Sequence, residues 1–327
     1  MPGLGEFQRI DRYFKPLAAG FPGALGLGDD AGLLSPGPGE DLVATTDSMV
    51  EGVHYLPGEK PSRLARKLLR VNLSDLAAKG ARPLAYMLTT ALPRSAEEGW
   101  IAAFADGLRQ DQERFGIHLL GGDSVSVEGP AVLGITAFGT APKGRALLRS
   151  GARPGDIIHV SGALGDGALG LESLRGRLPD LDPAHRRHLA DRYTLPEPRM
   201  ELGRRLIGVA TASMDISDGL PGDLPHICHA SGVAARVETA RIPLSPAGRA
   251  ALAADPGLER LALSGGDDYE LLFTAPPEAA ETLAALALEL SLPLTAIGEI
   301  SAGEGAAFIG PDGAPVGDLK GWTHFQP

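Results

Sequence analysis

PSRLARKLLRVNLSDLAAKGARPLAYMLTTAL, residues 61–92, changes its period part-way along. Pro61 is a favoured first helical residue, and leucines at 64, 68, 69, 73 and 76 recur at the three-and-four spacing of one helix face. Gly80 supplies the stop. From Leu84 to Leu92 the chain turns apolar and threonine-rich between turn signals, which predicts a strand. The same alternation continues outward on both sides. DLVATTD (41–47) and VLGITAFGT (132–140) read as strands. Ser95, three residues before Glu98, predicts a capping box opening a second helix that closes at Gly116. Strands interleaved with helices define an α/β and α+β chain.

The pattern breaks at KGRALLRSGARPGD (143–156), which is basic, glycine-rich and turn-like. A boundary there predicts an N-terminal α/β domain over 1–142 and a C-terminal α+β domain over 143–327. With 327 residues, each half is long enough for its own core. Past the boundary the sequence predicts a strand over 157–161, helices ending near Gly208 and Gly232, and strands over 270–275 and 294–300. GGD occurs at 121–123 and again at 265–267, too little to make a repeat.

Composition removes several classes of function. The net charge is −11 and the bases are scattered, which disfavours nucleic acid and anionic membranes as partners. No apolar run reaches the roughly 18 residues of a membrane span, and MPGLGEFQRIDRYF lacks the order of a secretory signal, so a cytoplasmic location is expected. One cysteine, Cys228, excludes a disulfide framework and a cysteine-built zinc or iron–sulfur site. Any metal would be held by oxygen or histidine. Arginine (24) far exceeds lysine (6), and Asn72 is the single asparagine, a composition that suits a thermophile and a GC-rich genome equally.

Six segments carry aspartates where the backbone is expected to turn: GLGDDAG (26–32), ATTDS (44–48), NLSDLAA (72–78), LLGGDS (119–124), MDISDG (214–219) and SGGDD (264–268). Five of them follow an apolar run or a glycine pair, which predicts carboxylates at the mouths of elements. Asp75 is the exception, mid-helix on a face shared with Asn72 and Lys79. Carboxylates brought together raise one another's pKa unless cations neutralise them. Mg²⁺ takes oxygen ligands, commonly one or two carboxylates with phosphates and water completing the shell. The pattern therefore predicts several Mg²⁺ ions holding a polyphosphate. Any one aspartate is equally well explained as a cap of a helix or turn, but six such segments are not.

The usual phosphate loops do not compete. No GxxxxGK precedes a serine or threonine. Gly165, Gly167 and Gly170 form a GxGxxG, but ESLRGRLPDLDPAHRRHLADRY (172–193) follows it, polar and helical where a dinucleotide fold needs a second strand ending in an acid. These glycines read as a strand-to-helix turn. Arg149 is either a bidentate phosphate donor or the partner of an acid at the boundary. His54, seven residues after Asp47, either faces the same cleft or lies on the surface. His185, His188, His226, Cys228 and His229 lack a full ligand set and read as ordinary helical residues.

In order, GDDAGLL (28–34), TTDSMVEGVHY (45–55), NLSDLAAKGARP (72–83), GGDSV (121–125), PKGRALLRSGARPGD (142–156), MDISDGL (214–220), SGGDDYELLF (264–273) and KGWTHF (320–325) resemble the thiamine-monophosphate kinase family, within the aminoimidazole-ribonucleotide synthetase superfamily. The resemblance spans nearly the whole chain. It implies an N-terminal α/β domain whose sheet forms a homodimer, a C-terminal α+β domain, and a groove between them that takes ATP and thiamine monophosphate. It assigns Mg²⁺ binding around the ATP phosphates to Asp30, Thr45, Thr46, Asp47, Asp75, Asp123, Asp215 and Asp218. Nucleotide contacts fall on Gly122, Asp123, Arg149 and Ser217, and the thiamine phosphate site on His54, Asp267 and Trp322. Asp47, Asp75, Asp123 and Asp218 would carry the chemistry through the metals.

Two departures from the family pattern stand out. The family usually has GGEDYE where this chain has GGDDYE, so the acid at 267 is one methylene shorter. An aromatic residue often found in the helix before GGD is Ala105 here. The implied reaction moves the γ-phosphoryl of ATP directly onto a phosphate oxygen of thiamine monophosphate. The acceptor is already anionic, so no general base is required. Alternatives are another ATP-dependent enzyme of the superfamily, such as aminoimidazole-ribonucleotide synthetase, and a non-catalytic nucleotide- or metal-binding dimer. Cys228 is placed at neither terminus, where the selenophosphate-forming and hydrogenase-maturation relatives need a reactive residue.

Overall fold

The computed structural model describes residues 5–317 and 319–323. The described residues divide into two compact units, one within 5–76 and 81–144 and the other within 77–80 and 145–323.

In the first unit, short helical turns over 6–18 and 22–27 lead into strand β1 (Glu40–Val50), helix α1 (Pro61–Ala78), strand β2 (Arg82–Pro93), helix α2 (Glu98–Phe115), and strands β3 (His118–Val127) and β4 (Val132–Pro142). The sheet order is β1-β4-β2-β3. Only β2 and β3 are parallel, because α2 carries the chain back between them; the other pairs are antiparallel. Along each strand, alternate side chains point to opposite faces. Tyr86, Leu88, Leu133, Ile135 and Ala137 on one face are buried, as are Leu64, Leu68, Leu73 and Leu76 of α1 and Ile101, Phe104 and Leu108 of α2. The helices cross closely enough that a Cβ on Gly107 would lie 2.2 Å from the Ser62 carbonyl oxygen. Asp111 of α2, fully buried, is gripped by Arg70 of α1 at 2.6 and 3.0 Å and by Arg66 at 3.0 Å.

The opposite face of this sheet is open. Leu42, Met87 and Val125 share it and are 43%, 40% and 50% exposed.

Two expectations change here. α2 begins at Glu98 with Glu97 as its cap and no side-chain capping bond, so the capping box of Ser95 does not form. Ala96 N donates to the Pro93 carbonyl at 2.9 Å, and this turn holds Ser95 away from the helix start. LLGGDS is no turn but lies within β3. Its glycine at 122 is required by the pairing, since a Cβ there would lie 1.9 Å from the Leu88 carbonyl oxygen. Asp47 and Asp123 therefore sit inside strands rather than at their mouths.

In the second unit the elements run β5 (Ile157–Ser161), α3 (Asp166–Leu174), α4 (Pro183–Thr194), α5 (Met200–Leu206), β6 (Ala212–Asp215), α6 (Leu220–Ser231), β7 (Ala234–Glu238), α7 (Pro246–Ala254), α8 (Glu259–Ser264), β8 (Leu271–Ala275), α9 (Ala280–Glu289), β9 (Leu294–Ser301) and β10 (Gly305–Ile309). The six-stranded sheet has the order β10-β7-β9-β5-β8-β6, antiparallel except for β10 against β7. β8 reads LLFTA without alternation because both of its faces are covered. Leu272 packs with Ile158, Val160, Met214 and Leu224, whereas Leu271 and Phe273 pack with Leu202, Leu206, Leu283 and Leu286. Of the GxGxxG glycines only Gly165 lies in the turn from β5, as the cap of α3; Gly167 and Gly170 lie inside the helix, where a Cβ on Gly170 would lie 2.1 Å from the Leu189 carbonyl oxygen, and a further helix rather than a strand follows. The chain is thus a two-domain α/β protein. No helix among the described residues is long and apolar enough to cross a membrane.

Candidate active site

In the first unit the acids gather in two groups. The first lies between the sheet and α1. Alternation along β1 turns Thr45 and Asp47 toward the helix, where Thr45 Oγ1 donates to Asp75 Oδ2 at 2.5 Å. Asn72, three residues before Asp75 and fully buried, accepts from the Asp47 backbone N–H at 3.1 Å and donates to the Leu68 carbonyl at 2.9 Å. Thr46 points to the other face, donating to the Ile135 carbonyl at 3.1 Å and accepting from Thr136 Oγ1 at 3.2 Å. Any metal contact by Thr46 on the helix side would therefore use its main-chain carbonyl.

The second group surrounds a cavity of ≈ 230 Å³ at the β3 edge, lined by Asp29, Asp30, Gly121, Gly122 and Asp123 with Phe14, Leu27, Met87 and Leu119 among its apolar wall. Among the described residues, the carboxylates of Asp29 and Asp123 accept only from adjacent backbone N–H groups, at 2.8 Å each. Among the described residues, no lysine or arginine pairs with Asp29, Asp30, Asp75 or Asp123. Ala105 is buried within α2 and is absent from this wall. The strand register sets Asp47, Ile135, Leu88 and Gly122 in one row across four strands, so the two groups are separated by three strand spacings, about 14 Å. The acids are spread along the sheet rather than focused on one point. Among the described residues, no three carboxylate, histidine or cysteine groups form a single ligand cluster.

His54 lies in the turn after β1. Its Nδ1 accepts from the Val50 N–H at 3.0 Å, which places the proton of the neutral ring on Nε2. The buried Lys67 donates to the His54 carbonyl at 3.2 Å and fixes the turn from below.

In the second unit, three segments far apart in sequence meet. β6 ends at Asp215, and the loop through Ser217 and Asp218 enters α6. Asp223, in the first turn of α6, accepts from the backbone N–H groups of Ser217 at 3.1 Å and Asp218 at 3.0 Å. Its burial, together with the charges of Asp215 and Asp218, pushes its carboxyl up to about 8. GGDDYE lies against this loop. Asp267 N donates to the Ser217 carbonyl at 2.9 Å and Tyr269 N to the Ile216 carbonyl at 2.8 Å. A Cβ on Gly266 would lie 2.1 Å from the Ser217 oxygen, so only glycine permits this approach. The tail completes the cluster: Trp322 N donates to the Asp218 carbonyl at 2.9 Å, and its side chain is 58% exposed rather than packed as a terminal core aromatic. His324 and Phe325 of the KGWTHF block lie outside the described residues.

Arg149 is exposed, and among the described residues its side chain has no acidic partner. Its main chain is held by Ser231 Oγ, which donates to the Arg149 carbonyl at 3.2 Å. Of the histidines set aside as ligands, His188 contacts the buried Asp166 at 2.8 Å. Sequence reasoning missed Asn72, Asp223, Asp268 and Glu270 as supports of the site. For Asn72 one signal existed, because a chain with a single asparagine keeps it three residues before a predicted ligand.

Two folded units of this kind, each presenting aspartates on a scaffold of backbone hydrogen bonds, define the class of AIR synthase related proteins, whose N-terminal domain matches residues 28–141 and whose C-terminal domain matches residues 153–310. A thiamine-monophosphate kinase of Caulobacter vibrioides is 45% identical over 98% of this chain and 90% of its own length. Among solved structures, thiamine-monophosphate kinase from Stenotrophomonas maltophilia superposes with a TM-score of 0.85 at 42% identity, covering 96% of this chain and 98% of that one. AaThiL complexed with AMPPCP and TMP superposes with a TM-score of 0.79 at 33% identity, covering 98% and 97%. The chain belongs to the thiamine-monophosphate kinase family.

Proposed function

We propose that the protein phosphorylates thiamine monophosphate with ATP, moving the γ-phosphoryl group directly onto the phosphate oxygen of the acceptor to give thiamine diphosphate and ADP. The observation that carries this reading is that Asp29, Asp30 and Asp123 at the first unit's cavity, and Asp75 under α1, are paired with no lysine or arginine of the described residues. Aspartates that face a hollow without a counter-charge suit a site completed by cations. The donor set is all oxygen, the chemistry Mg²⁺ prefers, and it is spread over about 14 Å, which suits several ions along a line of phosphates better than one ion in a cage. Asp30, Thr45, Asp47, Asp75, Asp123, Asp215 and Asp218, with Thr46 through its carbonyl, are the residues that would hold them. Mg²⁺ bound there would offset the repulsion between two phosphate groups that must approach in line.

The chain's own residues do the rest. The cavity's apolar wall gives a nucleobase a dry surface, and Gly122 lets a phosphate come near the backbone of β3. Arg149 carries an uncommitted guanidinium whose planar fork suits phosphate oxygens. His54, its ring oriented by the Val50 N–H at Nδ1, is the first unit's residue for the acceptor phosphate. Trp322 offers an exposed ring face for the cationic thiazolium, and Asp267 a carboxylate for the same end of the substrate. The open sheet face bearing Leu42, Met87 and Val125 is apolar enough to suit a second copy of the chain, so a homodimer is part of the proposal. A sedimentation mass of twice the chain checks that part.

The deciding experiment incubates the protein with ATP, Mg²⁺ and thiamine monophosphate and follows ADP and thiamine diphosphate together. Equimolar release of both is expected. No ADP with this acceptor, or ADP without thiamine diphosphate, overturns the reading.

A further inference from the structure

Asp267 and Tyr269 both have left-handed backbones, with φ of 67° and 52°. Two such residues with one between them are strained, and persist only where the surroundings over-determine them. The residues alternating with them supply that constraint. Asp268 is buried and accepts from the N–H groups of Gly165 at 2.7 Å and Gly167 at 3.1 Å, at the start of α3. Glu270, also buried, accepts from Ser161 Oγ at 2.5 Å and is held by Nε and Nη2 of Arg199, Nε lying at 2.6 Å.

Arg192, on α4, has a different task. Its Nη2 donates to the Asp268 carbonyl at 2.9 Å and to Glu270 Oε1 at 3.0 Å, gripping the chain on both sides of Tyr269. Glu270 already has a forked partner in Arg199, so its charge is met without Arg192. What Arg192 alone adds is a fixed orientation for the peptide between Asp268 and Tyr269.

We propose that Arg192 is a positioning residue for substrate recognition: by clamping the Asp268 carbonyl and the Glu270 carboxylate, it locks the left-handed turn that aims Asp267 at the thiamine end of the substrate. This rests on the kinase reading above. The same geometry accounts for the aspartate at 267, because Asp tolerates the left-handed region far better than Glu and so keeps the charge at lower strain.

Steady-state kinetics of the full-length protein test it. Arg192→Gln is expected to raise KM for thiamine monophosphate about tenfold, with KM for ATP and kcat within about threefold of the parent. Arg192→Lys, which can reach one of the two acceptors, should recover part of the loss. Tyr269 Oη donates to Asp267 Oδ1 at 3.3 Å, so Tyr269→Gly loses that bond as well as freeing the backbone and should raise the same KM; Tyr269→Phe, which loses the bond alone, should raise it less. A merely structural role for Arg192 would move Tm and leave the KM values of the folded fraction alone. An unchanged KM for thiamine monophosphate in Arg192→Gln overturns the proposal; should that variant fail to fold, an unchanged KM in Tyr269→Gly does so. If the parent protein itself does not turn over thiamine monophosphate, the kinase reading falls and this proposal with it. A competent parent with indifferent variants sinks the positioning role alone.

Discussion

The two units present acids in opposite ways. In the first, Thr45, Asp47 and Asp123 stand on regular strands and Asp75 on a regular helix, so the direction of each side chain follows from the period of its element. In the second, Asp218 and Asp267 stand on irregular segments held by buried carboxylates, close glycine contacts and left-handed residues. The difference teaches where substitution should hurt. A strand ladder tolerates loss of a side chain that it merely displays, whereas a strapped loop couples its geometry to its stability.

The largest expected effect breaks that comparison on the first side. Asp47→Asn keeps shape and leaves the Asn72 bond to the Asp47 N–H intact, while removing one charge. Turnover should fall about 10²–10³-fold, with Tm almost unchanged. Full turnover at saturating Mg²⁺ would remove Asp47 from the metal set. On the second side, Gly266→Ala drives a Cβ into the Ser217 carbonyl and must push GGDDYE off the Ser217 loop. About 2–4 kcal/mol of stability should go together with activity, read as a lower denaturation midpoint alongside a raised KM for thiamine monophosphate. Loss of activity with an unmoved midpoint would show that the strapped loop is not coupled to folding.

Legibility in the sequence follows the same division. α1, β1, β2 and β4 were readable because each shows its full period in one stretch, and β5 falls over 157–161 as expected. β3 was misread because GGD is a turn signal in isolation, and nothing local records that Leu88 lies close enough to demand glycine at 122. The acids themselves were visible by type. What the sequence could not supply was their grouping: that Thr46 turns away from Thr45 and Asp47 depends on which face α1 covers, and that Asp123 joins Asp29 and Asp30 at one cavity depends on β3 being an edge strand. The supports were least visible of all. Asp268 and Glu270 gain their roles from Gly165, Arg192 and Arg199, which lie about 70 to 105 residues away. Long-range pairings of this kind leave no local pattern.

The smallest effect sharpens the comparison through pH. His159 is on β5, two residues before the Ser161 that holds Glu270, and its ring stacks on Phe273 with centroids 5.2 Å apart. Its buried Nδ1 has no partner among the described residues, and burial lowers its pKa from 6.5 to about 4. The folded chain thus favours the neutral ring, while the unfolded chain takes up a proton near pH 6.5. Unfolding binds protons in this window, so the stabilisation is full above about pH 6.5 and is lost as pH falls toward 4. Because the ring is partly exposed, the loss should be about 1–2 kcal/mol rather than the full value of the shift. His159→Phe keeps a stacked ring and removes the titration, so the difference in Tm between parent and variant should grow from pH 6.5 to 4 and stay flat above. If acid loosens the strapped loop through β5, hydrogen exchange at 265–271 should rise in the parent before it rises in β1 and β4, and the variant should delay it. Simultaneous loosening of both sheets, or a Tm difference independent of pH, would show that β5 does not couple acid to this loop.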